Sequence, residues 1–287
     1  MAGRSKRRLS WRRRRRMVGW LKIILLWLVV IVVGYYAGYL VANLQFQADR
    51  PADPQIIAHR GDRAHAPEDT LAAFRAAIQA GADWLELDVQ RTKDGQLVVI
   101  HDETVERTTD GSGQVADLTL EQIQSLDTGN GERVPTFEEA IQLAKQAGVG
   151  FFPEAKSAPR YPGIEAEMVA ALRAQGYLER AILQSFAYDG LAEVAADNPD
   201  LQVCPLFGLW QFDLDQPGLE SARQVCAMGE MALLYPWMIR QAHQDGRQVY
   251  VWFGVIEHPL VMRILLALGA DGLIVDDPGR LAGILKR

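Results

Sequence analysis

Apolar runs and helical patterns alternate along residues 55–287 and indicate the fold. Eight short runs rich in β-branched and aromatic residues predict buried strands, at Gln55–His59, Trp84–Val89, Phe151–Glu154, Ala181–Ser185, Leu201–Phe207, Met231–Tyr235, Gln248–Trp252 and Gly272–Asp276. Stretches with helical periodicity lie between them, and several end in glycine, as helices often do, at Gly81, Gly148, Gly176, Gly246 and Gly269. Strands alternating with helices over about 230 residues predict an α/β fold, a (β/α)8 TIM barrel.

One further run breaks this repeat. Leu97–His101 follows Leu87–Thr92 after only four residues, which is too short for a crossover between parallel strands. We therefore predict an extra β-hairpin with an Asp-Gly turn, and counting back from that turn places His101 roughly opposite Asp88. Residues from about 102 to 134 then form a small insertion outside the barrel repeat.

The N-terminal segment has a different character. Residues 18–44 are almost wholly apolar and exceed the roughly 20 residues that span a bilayer, so they predict a transmembrane helix. The first 22 residues carry ten basic side chains and no acidic one. The positive-inside rule makes residues 1–17 a cytoplasmic tail and places the barrel, residues 55–287, outside the cytoplasm after a linker at 45–54. The alternative is a cleaved signal peptide, whose apolar core is usually only about 7–15 residues.

The overall net charge of −6 conceals a strong asymmetry. Residues 51–287 hold 35 acidic and 19 basic residues, a net charge of −16. A domain this acidic repels nucleic acid, so we predict no nucleic-acid partner and disfavour a nuclease. The only cysteines, Cys204 and Cys226, are compatible with a disulfide in an oxidising compartment or with two buried thiols. The oligomeric state is left open by the sequence.

Polar residues at the ends of the first predicted strands form a candidate site. They are, in chain order, His59, Arg60, Glu86, Asp88, His101, Glu154 and Lys156. In a TIM barrel the C-terminal ends of the strands meet at one face, so we expect these side chains to converge. Three carboxylates favour Mg²⁺ or Ca²⁺, an arginine binds phosphate oxygens and two imidazoles transfer protons. This set of groups suits metal-assisted attack on a phosphate ester.

Three segments carry a resemblance to a known family. The sequences IAHRGDRAHAPEDT, LELDVQRTKDGQLVVIHDETVERTTDGSG and PEAK resemble the signature segments of the glycerophosphodiester phosphodiesterases. The similarity continues through SLDTG and VPTFEEA to DGLIVDDP and covers nearly all of residues 55–280. Members of this family are metal-dependent TIM-barrel hydrolases, and they cleave glycerophosphodiesters to glycerol 3-phosphate and an alcohol.

The resemblance implies a role for each matching position. It implies that one divalent cation is bound by Glu86, Asp88 and Glu154. His59 and His101 match the general acid and base, although their individual roles stay open. Arg60 and Lys156 would bind the phosphate, Glu68 would border the site, and Trp252 at a strand end is a candidate for contact with the glycerol moiety.

The sequence also departs from the family pattern. Asp69 stands where asparagine is usual, and Trp252-Phe-Gly-Val replaces a Trp-Thr-Val-Asn type of run, which leaves the alcohol group open. The aromatic stretch Phe207–Phe212 is either cap packing or an apolar lip that faces the bilayer. The alternative function is therefore lysophospholipase D-type hydrolysis of lysophospholipids at the membrane. A catalytically dead barrel that binds phosphodiesters or a protein is disfavoured, because every matching ligand and histidine is present.

Overall fold

A computed structural model describes residues 3–44, 51, 53–156 and 160–287, with the side chains of the first helix described over 14–39. The chain divides into two compact units, Met1–Asp49 and Arg50–Arg287. Most of the predicted linker at 45–54 lies outside the described residues.

The first unit is built on one helix, α1, at Gly3–Leu44. This helix begins well before the predicted residue 18 and includes the basic residues. Its segment Arg14–Tyr39 is long and apolar enough to cross a membrane, and a signal sequence near the N-terminus has the same properties.

The second unit is a closed barrel of eight parallel strands. Its strands are β1 (Gln55–Ala58), β2 (Trp84–Arg91), β4 (Gly150–Ala155), β5 (Ile182–Ser185), β6 (Gln202–Phe207), β7 (Gln224–Met228), β8 (Gln248–Trp252) and β9 (Gly272–Val275), while β3 (Leu97–Val99) lies outside the barrel. Pairing of β1 with both β9 and β2 closes the barrel. The predicted TIM barrel is confirmed.

Helices surround the strands. They are α2 (Leu71–Gln79), α3 (Leu120–Gln124), α4 (Phe137–Ala147), α5 (Ile164–Ala174), α6 (Tyr188–Asp197), α7 (Gly229–Leu234), α8 (Trp237–Gln244), α9 (Pro259–Leu268) and α10 (Pro278–Leu285). Local sequence fixes the ends of α4. Thr136 and Glu139 form a reciprocal capping box at its start, and Gly148 adopts the left-handed conformation (φ 71°) just past its end.

One predicted strand was misplaced. Met231–Tyr235 is not a strand, because residues 231–234 belong to α7, and the sixth barrel strand is β7. All five residues of β7 are buried, including the polar Gln224. Its side-chain Nε2 donates hydrogen bonds to the Oε1 atoms of Gln202 and Gln248 on the neighbouring strands. Glutamine also begins the correctly predicted strands β1 and β8, so Gln224 does not by itself hide this strand. The neighbouring apolar run of α7 has the composition of a short buried strand, and a run of that length does not distinguish helix from strand.

The predicted hairpin is confirmed. Strand β3 pairs antiparallel with β2, with Val99 opposite Val89, and the Ile100 N–H donates to the Asp88 carbonyl oxygen at 2.9 Å. His101 follows directly, one position beyond the residue opposite Asp88. The insertion has a small core of its own, formed by Val98, Ile100, Val105, Val115, Ile123 and Val134.

The barrel interior holds the two cysteines. Cys204 on β6 and Cys226 on β7 form a disulfide with a Cα–Cα distance of 5.6 Å, and both are fully buried. They pack in an apolar cluster with Phe152 and Tyr250, whose rings lie edge to face at 5.6 Å. Of the two arrangements left open by the sequence, the structure has the bridged one.

Candidate active site

A cleft of about 490 Å³ opens at the C-terminal ends of the barrel strands. All but one of the predicted site residues line it, namely His59, Arg60, Glu86, His101, Glu154, Lys156 and Trp252. The remaining one, Asp88, is 1% exposed and forms ion pairs with Arg60 and Lys156. The structure therefore brings these eight side chains together, and Glu68, which was expected to border the site, accepts a hydrogen bond from Arg60 at 2.9 Å.

Three carboxylates form the floor of the site. Glu86 and Asp88 lie two residues apart on β2, so their side chains share one face, and Asp88 is in register with Glu154 on β4. One oxygen of each carboxylate lies within 4.8 Å of the others, and all three residues are buried. Hydrogen bonds from the Gln184 side chain (2.8 Å) and the Arg60 N–H (2.9 Å) hold Glu86.

The charge of this floor is only partly balanced. The Lys156 ammonium lies 2.7 Å from Glu154 and 3.3 Å from Asp88, and the Arg60 Nε lies 2.9 Å from Asp88. Burial raises the pKa of Glu154 to about 7 and raises that of Glu86 well above its usual range. Burial also opposes ionisation of Asp88, but the charges of Lys156 and Arg60 hold its pKa well below the ordinary value.

These carboxylates fit a divalent cation. Both Oδ atoms of Asp88 are buried and lack a hydrogen bond of good geometry, although cations lie within ion-pair distance. Burying three adjacent carboxylates is costly unless positive charge neutralises them. Oxygen ligands are those that Mg²⁺ and Ca²⁺ prefer. The acidic cluster could therefore bind such a metal ion.

Backbone conformation positions Arg60. This residue adopts the left-handed conformation (φ 55°), which is uncommon for a non-glycine residue. Gly61 follows with φ 79°, and a Cβ there would lie 2.6 Å from the backbone of Ala73. The tight turn lets the Arg60 N–H bind Glu86 while its guanidinium returns to Asp88 and Glu68. Only glycine fits the second position of this turn.

Each predicted catalytic histidine has an aspartate partner. The His59 Nδ1 lies 2.7 Å from Asp276, which follows β9, and the His101 Nδ1 lies 2.6 Å from Asp102. Burial is the largest influence on both rings and lowers the pKa of His59 and of His101, whereas the aspartates raise it. Each partner can hold its imidazole in one tautomer, with Nε2 free to exchange a proton.

Sequence reasoning missed both aspartates as functional partners. Asp102 stands next to His101 in the chain, which is a usable signal. Asp276 lies 217 residues from His59 and is marked only by its place at the end of the last strand.

An ion-pair network supports the other side of the cleft. Arg107, in the insertion, donates to Glu68 at 2.8 and 3.0 Å and also binds Asp102. Glu68 accepts a further hydrogen bond from Arg60 at 2.9 Å. Burial opposes ionisation of Glu68, but these arginines lower its pKa to about 2. Arg107 was not singled out from the sequence, because nothing local marks it among the other basic residues.

The cleft has an apolar wall opposite this network. Trp252 at the end of β8 meets Phe186 edge to face, with ring centroids 5.9 Å apart. Phe186 and Val255 are exposed, and both line the cleft. The Trp252 Nε1 is buried without a hydrogen-bond partner among the described residues.

Comparison with known proteins identifies the family to which this chain is similar. Residues 59–280 match the model of the glycerophosphoryl diester phosphodiesterase family. The chain belongs to this family. A glycerophosphodiester phosphodiesterase from Caldanaerobacter subterraneus is 37% identical over 247 residues, which cover 81% of this chain and 98% of that protein.

Solved glycerophosphodiester phosphodiesterase structures share the barrel. One from Agrobacterium tumefaciens aligns with a TM-score of 0.69 and 26% identity over 80% of this chain and all of that chain. An Oleispira antarctica phosphodiesterase in complex with its product sn-glycerol-3-phosphate aligns with a TM-score of 0.70 and 27% identity, over 82% of this chain and 97% of the other. These two solved chains align over nearly their whole length with about four fifths of this chain.

Proposed function

We propose that this family member hydrolyses glycerophosphodiesters to glycerol 3-phosphate and an alcohol, in a reaction that depends on one divalent cation, Mg²⁺ or Ca²⁺. The observation that carries the proposal is one cleft holding a buried acidic cluster, two cationic side chains and two aspartate-supported histidines. The naming of the family and of its relatives supports the phosphodiester substrate.

The side chains divide the work between binding and proton transfer. Arg60 and Lys156 bind the phosphate oxygens and stabilise the charge that develops on them. A cation held by Glu86, Asp88 and Glu154 would supply further positive charge at the phosphoryl group. The apolar wall excludes water from this side of the cleft, and the lower dielectric strengthens each of these interactions.

The two histidines act as general base and general acid. One Nε2 removes the proton from the attacking oxygen, either water or the glycerol 2-hydroxyl, as the new P–O bond forms. The other imidazolium donates its proton to the departing alcohol oxygen as the old P–O bond breaks. When the 2-hydroxyl attacks, the resulting cyclic phosphate is opened by water with the same two groups. Trp252 forms the wall against which the glycerol moiety packs.

The test is release of glycerol 3-phosphate from a panel of glycerophosphodiesters, with choline, ethanolamine and glycerol as the alcohols. Wild-type protein is expected to need added Mg²⁺ or Ca²⁺. His59→Ala and His101→Ala should lower turnover by at least about a hundredfold while metal binding persists in calorimetry. His243→Ala is the matched control, because its ring is paired with Asp271 at 2.8 Å outside the cleft. Normal turnover in His101→Ala would refute the mechanism.

A second substrate class is favoured by the exposed apolar wall of the cleft. Phe186 is 46% and Val255 is 87% exposed, and both line the site. These side chains provide a surface for one acyl chain, so lysophospholipase D-type cleavage is the alternative. Comparing turnover of glycerophosphocholine with that of lysophosphatidylcholine in one preparation discriminates between the two. Phe186→Asn should reduce only the second reaction if the acyl chain packs there.

We also propose that the protein is single-pass in the membrane, with residues 1–17 as a cytoplasmic tail, 18–44 as the anchor and 45–54 as a linker. The apolar segment Arg14–Tyr39 and the basic residues before it support this topology. The disulfide between Cys204 and Cys226 is consistent with an extracytoplasmic barrel. Protease added to intact cells should degrade the barrel; protection of the barrel until the cells are lysed would contradict this orientation.

A further inference from the structure

Large exposed apolar side chains are confined to one side of the barrel. In the described part of residues 51–287, every large apolar side chain that is clearly exposed follows one of the strands β5 to β8. They are Phe186, Leu209, Trp210, Leu234, Tyr235, Val255, Ile256 and Leu260. Single exposed apolar residues need no explanation, but a set gathered at one end of consecutive strands does. We call these eight residues the apolar rim.

The apolar rim is continuous with the catalytic cleft. Phe186 contacts Trp252 in the cleft wall, and a Cβ built on Gly208 would lie 3.6 Å from the Phe186 ring. Leu209 and Trp210 follow Gly208 directly. The Trp210 ring lies 6.4 Å from that of Phe212, which in turn lies 5.9 Å from Tyr235. An apolar surface therefore extends outward from the substrate site.

Trp210 is held outward at a cost in backbone energy. It is 69% exposed and adopts the left-handed conformation, with φ at 64°. Such a conformation is unusual for a bulky residue and costs on the order of 1 kcal/mol or more. Its N–H is fixed by the Met231 sulfur at 3.2 Å. Packing within the barrel does not account for a strained and exposed tryptophan, whereas contact with an apolar environment outside the barrel does.

Among the described residues, most of the apolar rim is free of charged neighbours, although the exposed Asp213 and Asp215 border it beside Leu234 and Tyr235. Glu230 lies beside the rim, but its carboxylate accepts hydrogen bonds from the N–H groups of Gly254, Val255 and Ile256 and so fixes that loop. Across the cleft the mouth is charged instead, with Arg107 bound to Glu68 and Asp102. The mouth thus has an apolar half and a charged half.

We propose that the apolar rim docks on the surface of a phospholipid bilayer and seats the cleft mouth at the interface. Tryptophan and tyrosine flanked by leucine, valine and isoleucine form the composition that inserts into the boundary between headgroups and acyl chains. A bilayer would lie close to the barrel, since an apolar helix that can cross a membrane ends only ten residues before β1. The contact itself goes beyond the proposed hydrolysis and does not depend on it.

The tether is long enough for this contact. The chain enters β1 at the end of the barrel opposite to the rim, and ten extended residues reach at most about 35 Å. The longest strand, β2, has eight residues and therefore measures about 27 Å. The maximum reach of ten residues therefore exceeds the length of the longest strand.

The test uses the barrel without α1, because Arg50–Arg287 forms a compact unit of its own. Residues 51–287 are mixed with vesicles of phosphatidylcholine, or of phosphatidylcholine with phosphatidylserine as the anionic lipid. Each mixture is floated in a density gradient at low and at 1 M salt. The rim variant is Leu209→Asn with Trp210→Asn, since asparagine tolerates the left-handed conformation. The matched control is Ala147→Asn with Ala174→Asn, two exposed positions at the C-terminal ends of α4 and α5, on the far end of the barrel.

Wild-type and control barrels should float at both salt concentrations, and the rim variant should partition at least about tenfold less. All three should hydrolyse soluble glycerophosphocholine at the same rate and unfold at the same temperature, because Leu209 and Trp210 do not line the cleft. Failure of that hydrolysis in wild type would count against the proposed function and not against docking.

Three results would overturn the docking proposal. One is a wild-type barrel that does not float on phosphatidylcholine. Another is flotation that needs anionic lipid and disappears at 1 M salt, which would assign the contact to the basic groups of the mouth. The third is equal flotation of the rim variant, which would place the lipid contact elsewhere on the barrel.

Discussion

The pairing of His59 with Asp276 makes the sharpest prediction, through the substitution Asp276→Asn. Asparagine keeps the shape but removes the negative charge that faces Nδ1 at 2.7 Å. A hydrogen bond to a charged group contributes about 1.5–3 kcal/mol. The Asp276 side chain is 37% exposed, so solvent screening places the loss near the lower end, about 1.5–2 kcal/mol. Since 1.36 kcal/mol is a factor of ten, we expect kcat/KM to fall about 10- to 30-fold.

The assay is the pH dependence of kcat/KM for glycerophosphocholine. Burial lowers the pKa of His59, and Asp276 partly offsets this by raising it. The variant keeps the burial and loses the offset, so the pKa of His59 falls further. A limb of the pH profile should therefore move to lower pH: the acidic limb if His59 is the base, and the basic limb if it is the acid. The same experiment thus assigns the role of His59.

Asp271→Asn is the matched control, since Asp271 pairs with His243 at 2.8 Å away from the cleft. This control should lower thermal stability and leave the pH profile unchanged. An Asp276→Asn enzyme with kcat/KM within twofold of wild type and an unmoved profile would refute the idea that Asp276 positions His59.

Three further predictions follow from other parts of the barrel. Chelation should abolish turnover until Mg²⁺ or Ca²⁺ is restored. Glu154→Gln should raise the metal concentration that gives half the maximal rate at least about tenfold. An unchanged metal titration would show that Glu154 is not a ligand. Replacing Cys204 by serine opens a loop of 22 residues and should lower the free energy of unfolding by about 3 kcal/mol, or the Tm by about 6–12 °C. Equal Tm values for the wild type and the variant would show that the disulfide adds no stability. Burial raises the pKa of Glu257 to about 7, above the roughly 4.3 of an unfolded chain, so the folded state loses stability as pH rises through this range. Glu257→Gln should therefore shrink the difference in Tm between pH 5 and pH 8. An equal difference in the wild type and the variant would contradict the raised pKa.

Much of the fold was predictable, because burial in a parallel barrel leaves a strong pattern. Continuous apolar runs located seven of the eight barrel strands, and the short spacing before Leu97 required a hairpin. The sixth strand was missed because the apolar run Met231–Tyr235, most of which belongs to helix α7, was preferred to the run Val225–Met228 in β7. A short apolar run is compatible with either a strand or a buried helix, so its periodicity alone does not distinguish the two.

The site was predictable where its chemistry is local and obscure where it is not. Glu86-x-Asp88 shows its shared face through the strand period of two, and Glu154 follows from the neighbouring strand. Asp276 becomes a partner of His59 only once β9 closes the barrel against β1. Arg107 likewise depends on how the insertion folds over the cleft. Sequence spacing therefore identified the groups that line the site but not those that orient them.

The hairpin has a consequence for how the enzyme would lose activity. His59 belongs to the closed barrel, whereas His101 is carried by the edge strand β3 and an insertion with a separate small core. Local opening of such an edge unit costs less free energy than opening the barrel. On heating, catalytic activity should therefore be lost while the barrel and its acidic cluster are still native. We therefore expect the insertion to limit the operating lifetime of this protein, so that engineering for durability should begin there and not in the barrel.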